Sequence, residues 1–155
     1  MTFRIVGLEP EAFQPLFTMS DAERRGVHAV MRVADASPGF PCRVSLEDAK
    51  VDEEVLLVMY EHHAVDSPYR ASGPIYVRRA AQRAHSSIDR VPEMLMRRLL
   101  SVRAYDRAGM MRAAEVVEGV VLGDTIAHLF EDDRVLYLHV HNAKPGCFAC
   151  RVERS

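Results

Sequence analysis

The chain has 155 residues, 48% of them hydrophobic and 27% charged, with a formal net charge of -2. That is enough apolar side chain to offset the entropy of ordering one core, which excludes global disorder. The small net charge excludes bulk attraction to nucleic acid or to anionic lipid.

The opening Met-Thr-Phe-Arg-Ile-Val-Gly lacks the basic start and long apolar region of a signal peptide, so a cytoplasmic location is expected. Pro10–Phe17 reads as a short helical turn. Ser20 is placed to cap a second short helix through Arg25, with Glu23 completing a capping box and Gly26 ending it. Val27–Ala34 fits a strand, Asp35–Pro41 a turn, and Cys42–Leu46 a short strand before an acidic loop. Val55–His62 is the clearest central strand, and its apolar start, Val55–Tyr60, is the longest apolar run, far shorter than a membrane span. Asp66–Pro74 reads as a loop, Ile75–Arg78 as a strand, and residues 80–90 as irregular or weakly helical.

Pro92 at a first helical position predicts a short helix over Glu93–Leu100. Val102–Tyr105 and Met111–Val117 flank Asp106–Gly109 as a hairpin. Leu122–Phe130 has its apolar residues on one helical face. Val135–His141 and Phe148–Val152 form a closing pair around the turn Ala143–Gly146. The order lacks the strand–helix rhythm of a parallel sheet. The expected fold is therefore α+β, a mostly antiparallel sheet that includes Val55–His62 and Val135–His141, packed by a few short helices in a single compact domain over 1–155.

Residues 70–112 hold ten arginines against three acids, a composition suited either to an anion site or to solvated faces. Three cysteines, Cys42, Cys147 and Cys150, form an odd number without an export signal, which argues against a disulfide framework. In Cys147-Phe-Ala-Cys150 a turn precedes the pair and a strand follows, so the two thiols would face opposite sides. No redox pair, cofactor or metal is expected.

Two polar segments are candidates for chemistry. On a strand, His139 and His141 share a face with Tyr137, and Asn142 follows at the turn. With a third ligand such as His62 the pair could bind a transition metal; otherwise it offers a proton donor and an anion contact, or plain hydrogen-bonded strand residues. The loop Asp66–Pro74 can present Arg70, Ser72 and backbone N–H groups to a carboxylate or phosphate, or Arg70 can pair with a structural carboxylate. No nucleophile elbow, dinucleotide fingerprint or zinc-protease helix is present.

Gly39-Phe-Pro-Cys-Arg43, Ser67-Pro-Tyr-Arg-Ala-Ser-Gly-Pro74, Arg103-Ala-Tyr105 and His139-Val-His-Asn142 through Gly146-Cys147-Phe148 together resemble an uncharacterised bacterial family, domain of unknown function 1203. The resemblance covers nearly the whole chain and implies no activity. The family's pattern includes Cys147 but not Cys150, and its position for His141 also takes arginine. That implies a positive, hydrogen-bonding role at 141 rather than a zinc site built from His139, His141, Cys147 and Cys150.

The reading that follows is a small-molecule or anion-binding domain, with an enzymatic role left open. Arg43, Arg70, Ser72, His139, His141, Asn142 and Cys147 are its candidate site residues, and a small anionic ligand its partner, with no nucleic acid or membrane involved. The alternative is a protein-interaction module without catalysis. A ligand site requires those groups to converge on one concave pocket, whereas a docking surface would spread them over a flat patch.

Overall fold

A computed structural model describes residues 2–155. Among the described residues the strands are β1 (Phe3–Val6), β2 (Ala29–Val33), β3 (Glu54–His63), β4 (Ala71–Arg78), β5 (Ser86–Ile88), β6 (Leu99–Tyr105), β7 (Met111–Glu118), β8 (Tyr137–Asn142) and β9 (Phe148–Arg154). The helices are α1 (Gln14–Phe17), α2 (Asp21–Gly26), α3 (Glu93–Met96) and α4 (Leu122–Leu129). Every pairing between these strands is antiparallel. The fold is thus α+β, as the element order implies, but the strands divide into two sheets. One has six strands in the order β5-β1-β9-β8-β6-β7, the other three in the order β2-β3-β4. Val55–His62 and Val135–His141 therefore belong to different sheets rather than to one.

Alternation along β6, β8 and β9 explains the layering. Leu100, Val102, Leu138, Val140, Cys150 and Val152 share one face of the large sheet and pack under Leu122, Ile126, Leu129 and Phe130 of the α4 segment and Met94 and Leu95 of α3. The small sheet has its own apolar layer, in which Leu56, Val58, Ile75 and Val77 meet Phe13, with Leu16 and Phe17 alongside. The capping box is present: Ser20 Oγ accepts from Glu23 N–H, and Glu23 Oε1 accepts from Ser20 N–H.

Several segments differ from expectation. Phe3–Val6 is a strand, held between β5 and β9, so residues 86–88 are not irregular. Leu99 and Leu100 open β6 rather than close a helix, because their partners across β7 and β8 outweigh local helix propensity. The loop after β3 ends at Arg70, not Pro74, and β4 begins at Ala71. Cys42–Leu46 is a folded-back turn with only isolated bridges, Pro41 to Asp48 and Cys42 to Tyr76. Its backbone donates and accepts on several sides, with Arg43 N–H bonded to Tyr76 O and Arg43 O accepting from Leu8 N–H. This turn is wedged at the junction of the two sheets.

Gly7 secures that wedge. A Cβ built there would lie 2.1 Å from Val44 O and 3.1 Å from Arg43 O, both backbone atoms. Gly7→Ala should therefore destabilise the protein by roughly 2–3 kcal/mol, the scale of forced overpacking, read as a lower denaturant midpoint at unchanged slope. An unchanged midpoint would mean that the turn can slide away from β1.

Candidate functional site

The face of the large sheet turned away from α3 and α4 carries a polar and aromatic set. Register places Arg103 and Arg151 on either side of His139, Ser101 beside His141, and Tyr105 beside Tyr137. The expected sharing of one face by Tyr137, His139 and His141 is therefore met, and all three are buried. Two bulges complete the set. In β3, Tyr60 pairs with Gly73 but His63 with Ala71, so Glu61 and His62 together oppose Ser72. The extra residue turns His63 onto the side its parity would forbid. In β9, Phe148 pairs with His141 and Cys150 with Val140, leaving Ala149 as the extra residue and sending Phe148 to the face opposite Cys150.

The result is a cluster of imidazole and aromatic rings. His63 lies 4.1 Å from Tyr105 and 5.0 Å from His139, centroid to centroid, while His62 is 5.0 Å from His141 and stacks on Phe148 at 5.3 Å. Tautomers follow from the partners. His63 Nδ1–H donates to Tyr69 O at 2.8 Å, so its Nε2 accepts from the Tyr137 hydroxyl at 2.6 Å. His141 Nδ1–H donates to Gly146 O at 2.9 Å, leaving Nε2 toward Arg103 Nη1 at 3.5 Å. His62 Nδ1 and His139 Nδ1 are buried without partners. Burial, helped by the neighbouring imidazoles and by Arg151, pushes the His139 ring down to about 2. Burial likewise takes His141 down to about 4, against the opposing pull of its bond to Gly146 O. His139 and His141 are therefore neutral across the physiological range, contrary to the positive role implied at 141. Among the described residues no three His, Cys, Asp or Glu side chains are arranged to hold a metal ion.

Beside this cluster, between the sheets, lies an open cleft of about 740 Å³. It is lined by Arg43, Arg97, Arg98, Asn142, Lys144 and Cys147 among others, with Glu118 as its carboxylate. Arg43 is 1% exposed, and no carboxylate among the described residues pairs with it. Its Nε–H donates to Phe148 O at 2.7 Å, Nη1–H to Pro41 O, and Nη2–H to Cys147 Sγ at 2.9 Å. Desolvation holds its pKa below the usual arginine range. Asn142 Nδ2 lies 3.6 Å from the same sulfur, and Asn142 Oδ1 is buried without a partner. Gly146, at φ +80°, supplies the left-handed turn that delivers Cys147 to the cleft. Arg97 and Arg98 both reach the buried Asp48 carboxylate, at 3.3 and 2.6 Å.

Of the residues expected to form the site, Arg43, Asn142 and Cys147 meet in this cleft, while His139 and His141 belong to the adjoining ring cluster. Arg70 and Ser72 are not brought to it. Arg70 is 58% exposed and grips Glu61 with Nε and Nη2, both at 3.0 Å. Ser72 is exposed, opposite the β3 bulge. The loop still contributes, through the Tyr69 carbonyl on His63. Arg97, Arg98 and Lys144 were not singled out from sequence. The two arginines fall within the arginine-rich stretch, and nothing in the pattern marks Lys144 beyond its place in the turn. Cys150 faces the core, where burial pushes its thiol up to about 12, and Cys42 is equally enclosed.

A family profile described as a protein of unknown function (DUF1203) matches residues 39–154. No curated protein and no solved structure matches the chain. Among the described residues no helix is long and apolar enough to cross a membrane.

Proposed function

The chain belongs to the DUF1203 family, whose description assigns no activity, and from its own side chains we propose a small-molecule-binding domain whose cleft accepts an anionic group. The observation that carries this reading is the convergence of Arg43 and Lys144, neither paired with a carboxylate among the described residues, on one concavity that Glu118, Arg97 and Arg98 also line, the two arginines sharing Asp48. Guanidinium forks and an ammonium suit carboxylate or phosphate oxygens, and the half-enclosed setting strengthens each contact over its value in water. The inward position of Arg43, Asn142 and Cys147 favours a pocket over a flat docking patch. A cytoplasmic, bacterial setting belongs to the same reading and accords with three free cysteines.

The test is thermal denaturation with citrate and with inorganic phosphate, each against sodium chloride at matched ionic strength. An anion at 100 times its Kd stabilises by about 2.7 kcal/mol, which raises Tm by roughly 5–10 °C in a chain of this size. Lys144→Gln should shift less at the same concentration. If neither anion shifts Tm beyond the salt control, the cleft is not an anion site.

A further inference from the structure

Arg43 is a cation taken almost wholly out of water. A buried charge is costly unless an opposite charge or several hydrogen bonds compensate it. Two of its donors meet neutral carbonyls, Phe148 O and Pro41 O, and the third meets a sulfur. Cys147 is thus the group in contact with Arg43 that can carry the missing negative charge. A second donor, the Asn142 amide, faces the same sulfur, while Asn142, 5% exposed, keeps a buried oxygen without a partner at the edge of the cleft. Cys147 itself is partly exposed and lines that cleft.

We propose that Cys147 is a nucleophilic thiol that exchanges with small disulfides bearing carboxylates, bound in the cleft between the sheets. The inference rests on the anion-binding reading of the cleft and names its substrate class. Having released its proton to water, the Cys147 sulfur attacks one sulfur of R–S–S–R. The substrate's S–S bond breaks, a Cys147–S–R bond forms, and R–S⁻ leaves with the electron pair, so no outside oxidant or reductant is required. Arg43 and Asn142 stabilise negative charge on the attacking sulfur.

The surroundings select this chemistry. Acyl or phosphoryl transfer needs a proton donor for the leaving group, and His141, the imidazole nearest in sequence, has Nδ1 committed to Gly146 O and Nε2 turned to Arg103. A departing thiolate needs no such donor. Lys144, in a lining where Arg97 and Arg98 already share Asp48, favours a disulfide with carboxylates over a neutral one.

The experiment compares two disulfide probes on the native chain: dithiobis(nitrobenzoate), which carries a carboxylate on each half, and uncharged dithiodipyridine. One thiol per chain should react fast, since Cys42 and Cys150 are enclosed. Relative to a short cysteine peptide, its preference for the anionic probe should be greater by on the order of tenfold. Cys147→Ser should abolish the fast phase and, having lost the sulfur that faces Arg43, unfold at a lower Tm that still lies above the assay temperature. Lys144→Gln should slow the anionic probe and leave the neutral one unchanged. A preference equal to the peptide's, or a fast phase that survives Cys147→Ser, would overturn the proposal. An anion-induced Tm shift with no selective exchange sinks this inference alone, whereas loss of both sinks the binding reading beneath it.

Discussion

Lowering the pH from about 7 to about 4 should destabilise the fold by several kcal/mol, with His139 and His141 the main contributors. His139 titrates near 2 in the folded state and His141 near 4, mainly because burial disfavours the imidazolium. In the unfolded chain both titrate near about 6.5. Below that value the unfolded state binds protons that the folded state refuses, so stability is full above about pH 6.5 and falls as the pH drops toward the folded values. At about 1.36 kcal/mol per unit, His139 should contribute on the order of 3 kcal/mol of loss at pH 4, and His141 somewhat less as its own proton begins to bind. The groups facing His139 oppose its protonation: His62 and His63 from β3, Arg151 from β9 and His141 from its own strand.

Urea unfolding at a series of pH values checks this. His139→Phe, which places a non-titrating ring among Tyr105, Tyr137 and Phe148, should remove about half of the excess slope. Other carboxylates contribute equally to both proteins, so the difference between them isolates the histidine. A slope identical in the two would mean that His139 takes its proton within the folded cluster.

Arg43→Met should cost about 3–5 kcal/mol, the range found when one side of a buried charged contact is removed. The side chain bonds two backbone carbonyls and the Cys147 sulfur. A thioether can fill the volume but donates nothing, which leaves those acceptors buried and unsatisfied at about 1–3 kcal/mol each. Arg43→Lys should recover little, because one ammonium cannot reproduce a planar fork directed at three acceptors. By contrast Arg70→Ala should change stability by less than about 1 kcal/mol, since its pair with Glu61 is exposed. Chemical denaturation measures all three. An Arg43→Met protein as stable as the parent would show that the two sheets are joined without this side chain.

Much of the architecture was legible because it depends on local pattern. Alternation in Tyr137–His141 placed both histidines on one face, the spacing of Leu122, Ile126 and Leu129 marked a helix, and Ser20 with Glu23 marked a cap. Element order alone excluded a parallel sheet, and four short motifs carried family membership. Arg43, Asn142 and Cys147 were among the residues chosen, but on chemical type, with nothing to say that they would touch. Arg70 looked equally suitable, and only the position of Glu61 explains where it points instead.

The tertiary structure decided the rest, for reasons that lie in pairing between distant strands. Parity along β3 puts His63 opposite Tyr60, and parity along β9 puts Phe148 with Cys150. Both assignments are reversed by a single extra residue in each strand. A bulge is set by where the partner strand's hydrogen bonds resume, which the local sequence does not encode. The same holds for Cys42–Leu46, whose strand-like composition yields to a bond from Leu8 N–H and to bonds it donates to the Tyr76 and Glu47 carbonyls. The sequence by itself determined which faces are apolar, because burial follows side-chain chemistry at fixed periods. Only the folded chain decided which polar groups meet, because that depends on register, and a shift of one residue exchanges the two faces of a strand.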